Sequence, residues 1–110
     1  MKPQITFDEY AKVEIRVGRI VEATVPEGSE KLIRFEVDFG DEKRVIFSGI
    51  KEWYRPEELL GVTTAWVTNI PPKKTPFAES NGMLFACDTV EGKPYIVRVG
   101  DEVPKGSEFH

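Results

Sequence analysis

From Ile33 to Phe39 apolar and polar residues alternate without a break: Ile33, Phe35, Val37 and Phe39 against Arg34, Glu36 and Asp38. A period of two sends one set to a core face and the other toward solvent, which predicts a half-buried strand. A longer alternation runs from Val13 to Val25, with Glu14, Arg16, Glu22 and Thr24 between the apolar positions. Its rhythm breaks at Arg19-Ile20, directly after Gly18, so the first strand is expected to bend or bulge and to serve two sheets. Gly40-Asp41-Glu42 turns the second strand into a third, Arg44 to Ser48. Thr63 to Ile70, β-branched and aromatic, reads as a fourth strand and Met83 to Cys87 as a fifth. Pro94 to Val99 and the Val103-Pro104 tail add an extended C-terminal region.

Two helices interrupt this pattern. Thr6-Phe7-Asp8-Glu9 fits a capping box, followed by a turn or two through Tyr10 and Ala11. Pro56 suits a first helical position, Glu57 and Glu58 complement the positive end of the helix dipole, and Gly61 suits the exit. The resulting order, three strands, a helix and two strands, predicts one all-β domain over residues 1–110. It is a five-stranded OB-fold barrel with a short helix between strands three and four and a short N-terminal helix. In this fold the first two strands and the loops beside them are the usual surface for oligonucleotides.

Composition narrows the function. The chain has 110 residues, 40% hydrophobic and 31% charged, enough for one modest core. No apolar run approaches the ~20 residues of a membrane span, and the first residues lack a secretory apolar stretch. Cys87 is the single cysteine, expected to be a small buried hydrophobe, and a reducing cytoplasm fits it. His110 is the single histidine, so neither a His/Cys metal site nor a histidine triad can be assembled. Glu57-Glu58 and Asp41-Glu42 are explained by a helix start and a turn, and Ser80 beside Glu79 has no base to activate it. No glycine pattern cradles a cofactor phosphate. The expectation is a protein that is not an enzyme, with no cofactor and no metal.

The net charge of −4 does not favour general coating of nucleic acid. A local patch is a separate matter. Lys73 and Lys74 lie in a loop held extended by Pro71, Pro72 and Pro76. Lys31 opens the second strand and Arg34 lies on its polar side, beside which the loop between strands four and five would stand. These four cations are expected to line one groove able to attract phosphates. Met83, at the loop-to-strand junction, suits contact with a splayed base. Phe35, Phe39, Phe47, Trp66 and Phe85 are expected in the core, with Trp53 and Tyr54 plugging the barrel's end.

The stretch Asn69 to Cys87, NIPPKKTPFAESNGMLFAC, resembles the signature of the tRNA-binding domain related to the C-terminal appendage of methionyl-tRNA synthetase. Asn69, Lys73, Lys74, Glu79, Ser80, Gly82, Met83 and Ala86 match it. So do Val13 to Ile20, Lys31-Leu32, Val37 to Gly40, Ser48-Gly49-Ile50 and Tyr54-x-Pro56-Glu57-x-Leu59-x-Gly61. The resemblance implies a cytoplasmic, homodimeric OB-fold that binds tRNA by shape and backbone. It would be free-standing or a β-subunit partner of methionyl-tRNA synthetase, with residues 94–110 contributing to the dimer. It also implies RNA contacts from Ser80 and Met83, with Lys31, Lys73 and Lys74 on the backbone and Asn69 among the binding residues. An alternative within the family is an export-related chaperone or protein-interaction adaptor, whose apolar loops around Phe77 would bind polypeptide. Two departures stand out. Pro26 to Glu30 replaces a histidine-containing loop before Lys31, and Phe77-Ala78 replaces a small-then-branched pair.

Overall fold

The computed structural model describes residues 1–110. Ten strands and two short helices occur in the order α1 (Phe7–Ala11), β1 (Ile15–Thr24), β2 (Ile33–Asp38), β3 (Lys43–Ser48), α2 (Pro56–Leu59) and β4 (Thr63–Val67). Then follow β5 (Lys73–Lys74), β6 (Glu79–Ser80), β7 (Met83–Leu84), β8 (Ala86–Asp88), β9 (Pro94–Ile96) and β10 (Glu108–Phe109). The main antiparallel sheet runs β3-β2-β1-β4-β7. It curls until the residues before β7 return to β3, where the Asn81 N–H donates to the Val45 carbonyl at 2.9 Å. The result is the nearly closed five-stranded barrel expected of an OB-fold.

β1 holds the barrel together because it pairs on both edges. Residues Ile15 to Arg19 pair with β4, and Arg19 to Thr24 pair with β2. The register shifts between Ile20 and Glu22, a bulge that brings Ile20 into the core and leaves Val21 and Val25 exposed. The broken alternation in the sequence marks this bulge. Gly18 has a different task, since a Cβ there would stand 2.9 Å from Trp66 and closer still to Val37 and Phe39. The Trp66 indole fills that space, donates its N–H to the Gly18 carbonyl at 3.0 Å and meets Phe35 edge-on at 5.8 Å. Ile33, Phe35, Val37, Ile46 and Leu59 complete the core around them.

The C-terminal segment closes the other half of β1's edge. β10 pairs with Ile15 and Arg16, and Val17 exchanges backbone bonds with Gly106 and Ser107. That leaves no open strand edge there.

Two expectations are corrected. The fifth strand divides into β7 and β8 because the chain bends at Phe85, which leaves this ring 42% exposed rather than in the core. Cys87 lies in the β8–β9 hairpin, opposite Tyr95, and is exposed rather than buried.

Candidate nucleic-acid interface

After β4 the chain leaves the barrel, and Pro71 and Pro72 keep it extended. It then forms an arm in which Lys73 pairs with Ser80 and Lys74 with Glu79. Thr75 shapes the tip. Its hydroxyl accepts from the Phe77 and Ala78 N–H groups and donates to the Ala78 carbonyl at 2.6 Å. Two attachments lay the arm against the barrel. The Phe77 ring stacks on Phe47, with centroids 6.4 Å apart and planes 21° from parallel. The Ser80 hydroxyl accepts from the Phe47 N–H at 2.9 Å and donates to the Gly82 carbonyl at 3.2 Å. Gly82, at φ +142°, then brings the chain back into the wall. A Cβ there would press within 3.0 Å of the Val67 carbonyl oxygen and nearer to Ile46. The turn in Glu-Ser-Asn-Gly is thus the hinge-post of a basic arm.

Between arm and barrel lies a cleft of about 420 Å³, lined by Leu32, Phe47, Lys73, Lys74 and Met83 among others. None of its lining residues is a carboxylate, in a chain with 19 Asp and Glu against 15 Lys and Arg. Lys73, Lys74 and Lys31 form no ion pair. Met83 stands 51% exposed at the lip. Lys31 is exposed beside Leu32, where β2 enters the cleft wall.

Three other expected site residues are occupied. Arg34 shares the outer face of β2 and β3 with Phe47, its register partner, yet its guanidinium is paired with Glu22 at 2.9 Å. Ser80 is 4% exposed and its hydroxyl anchors the arm. Asn69 is exposed and also ties two segments of the chain. Its side chain accepts from the Glu14 N–H at 2.8 Å and donates to the Lys12 carbonyl, fixing the segment between α1 and β1 to the end of β4.

Phe77 and Thr75 are residues that the sequence reading did not credit with shaping the site. The signal for Thr75 was a hydroxyl at the start of a four-residue turn. For Phe77 the departure at Phe77-Ala78 marked the position but not the contact, since its partner Phe47 is 30 positions away and looked like core. Ser29 was also missed. Its hydroxyl bonds both Leu32 backbone groups, at 2.9 and 3.0 Å, and the Lys51 ammonium donates to its carbonyl, fixing the loop before Lys31.

Residues 15–108 match the family model described as "Putative tRNA binding domain". The chain belongs to this family. The tRNA-binding domain is 37% identical over 108 residues to the methionine–tRNA ligase of Parabacteroides distasonis, and 44% identical over 105 residues to that of Methanothrix thermoacetophila. These alignments cover 98% and 96% of the chain but only 16% and 15% of the ligases, so it spans about a sixth of their length. A MetRS-related protein from Pyrococcus horikoshii superposes with a TM-score of 0.95 at 38% identity, covering 99% of this chain and all of that one. The chaperone CsaA of Bacillus anthracis shares the fold, with a TM-score of 0.88 at 24% identity over 98% of this chain and all of its own.

Proposed function

We propose that this domain binds tRNA without catalysis, by backbone and shape, acting free-standing or beside a methionyl-tRNA synthetase in the cytoplasm. Lys73, Lys74 and Lys31 would meet phosphates, with Arg34 as a reserve cation once Glu22 releases it, and Met83 would touch a base. The observation carrying this reading is the cleft free of carboxylates on a net anionic barrel. A polyanion is then attracted to this flank despite the net negative charge of the chain. The peptide-binding alternative has less support, because Phe77, 39% exposed, already stacks on Phe47.

The test is tRNA binding as a function of salt. Lys73→Ala/Lys74→Ala should weaken binding and flatten the slope of log affinity against log salt by about 1.5–2. Unchanged affinity and slope would remove these lysines from the interface.

A homodimer is part of the same proposal. No residue of α1 is buried, and Ile5, Phe7, Tyr10 and Val13 are exposed apolar side chains. Phe7, Tyr10 and Val13 border a groove with Phe109 and His110 of the C-terminal segment. A second copy covering this face would bring Glu108, Phe109 and His110 of the expected 94–110 dimer segment into the interface and pair two RNA clefts. Light scattering on Phe7→Glu/Tyr10→Glu should then give a monomer where the native chain gives a dimer; an unchanged mass would exclude this face.

A further inference from the structure

Met83 separates two clefts. Beyond it from the basic arm opens a second cleft of about 450 Å³, bordered by Trp53, Phe85, Asp88 and Gly92. The two clefts share Ser48, Gly49, Met83 and Leu84, so they meet along a common wall. A Cβ on Gly49 would find nothing within 4 Å, which leaves that wall open to an incoming group. Phe85 offers an exposed ring there, and the bend between β7 and β8 is what turned it out of the core.

The two halves differ in chemistry. The arm cleft has lysines and no carboxylate. The second has aromatic side chains, no cation in its lining and one carboxylate, Asp88. A phosphate is therefore attracted to the first and repelled from the second, whereas a nucleobase suits the second. Its π-face can stack on Phe85 and Trp53, and an N–H on its edge can donate to Asp88. We propose that the second cleft is a stacking site for an unpaired nucleotide, splayed past Met83 from an RNA whose backbone lies on Lys73 and Lys74. This inference rests on the RNA reading of the arm and adds a distinct requirement, that the bound RNA carry an unpaired end or bulge at that position.

The experiment uses the full chain and two RNA hairpins with one stem, one blunt and one with a four-nucleotide unpaired extension. The extension should raise affinity by about tenfold. Phe85→Ala should abolish that gain while leaving the blunt hairpin's affinity unchanged, and Trp53→Leu should do the same. Lys73→Ala/Lys74→Ala should weaken both hairpins equally. Tryptophan emission supplies a direct readout. Trp66 is fully buried with its indole N–H bonded to Gly18, so quenching by the extension reports Trp53. Equal affinities for the two hairpins, with emission unmoved, would overturn the stacking site and leave the arm's role standing. Failure of both hairpins to bind at low salt would instead remove the arm reading. In that event an unstructured tetranucleotide still decides the matter, since quenching of Trp53 supports the second cleft and its absence overturns it.

Discussion

Two parts of the barrel gather cations and aromatic rings, and they use them in opposite ways. At the β2–β3 turn, Arg16 and Arg44 lie over the Phe39 ring at 5.3 and 5.7 Å. Each is paired, Arg16 with Asp41 at 2.9 Å and Arg44 with Glu42 at 2.8 Å. At the arm, Lys73 and Lys74 sit beside Phe47 and Met83 with no ion pair. Charge count cannot tell these regions apart; ion pairing does, since Glu79 stands across from Lys74 in the arm yet pairs with neither lysine. A paired guanidinium rigidifies its own chain, while an unpaired ammonium keeps its attraction for an outside anion. Charge reversal at the arm tests the difference most strongly. Lys73→Glu/Lys74→Glu should cost at least about a hundredfold in tRNA affinity at low salt, since each lost phosphate contact also becomes a repulsion. Its melting temperature should stay near the native value. A large drop in melting temperature would mean that the arm lysines are structural after all.

Removing a paired cation should give the mirror result. Arg44 donates to the Thr68 carbonyl at 2.7 Å and reaches the Asn81 carbonyl at 3.4 Å, linking β3 to both ends of the arm. Arg44→Met keeps much of the stem's packing but strands these acceptors and Glu42, which should cost about 1–3 kcal/mol of stability. Chemical denaturation measures this. At salt concentrations where the variant is folded, tRNA affinity should change by less than about threefold. A larger loss of binding would show that Arg44 reaches RNA directly or holds the arm in its binding pose.

The sequence made the barrel legible because its strands carry a period-two pattern and its turns carry glycine. The register break in β1 was visible for the same reason: an extra residue must disturb the alternation. The cleft was legible only in part. Lys73, Lys74 and Met83 are consecutive with the motif and protrude, so their exposure follows from local chain geometry. Ser80 and Asn69 belong to the same motif, yet their hydrogen-bonding partners, Phe47 and Glu14, are 33 and 55 positions away. A motif does not say whether its polar residue faces a ligand or its own backbone. Phe85 was misplaced because an apolar residue in a strand pattern reads as core until a bend turns it outward.

Acid should sharpen the contrast more gently. The backbone N–H of Gly40 and then the Lys105 ammonium hold the Asp38 carboxyl below its ordinary pKa. Arg16 does the same for Asp41, and Arg44 for Glu42. A lowered native pKa means that the unfolded chain takes up protons first as pH falls. The stabilisation is therefore complete above about pH 4 and lost below it. Melting temperature should be flat from neutrality to about pH 5 and decline below about pH 4, with the decline reduced in Arg16→Met. A fall already under way near pH 6 would contradict this origin.

The smallest effect comes from a third kind of unpaired polar group. Thr64 is fully buried opposite Gly18 on the barrel wall, and its hydroxyl has no hydrogen-bonding partner. Lys73 and Lys74 are also without partners, but solvent and ligand can reach them. Nothing reaches Thr64. Its unmet hydroxyl is a cost with no binding gain to offset it. Thr64→Val exchanges the hydroxyl for a methyl of similar size and should stabilise the fold by about 1 kcal/mol, read as a higher denaturation midpoint at constant m-value. Affinity for tRNA and its salt slope should be unchanged. If the variant were destabilised instead, the hydroxyl would have to donate within the barrel wall, and the contrast between reachable and unreachable unpaired groups would lose its interior member.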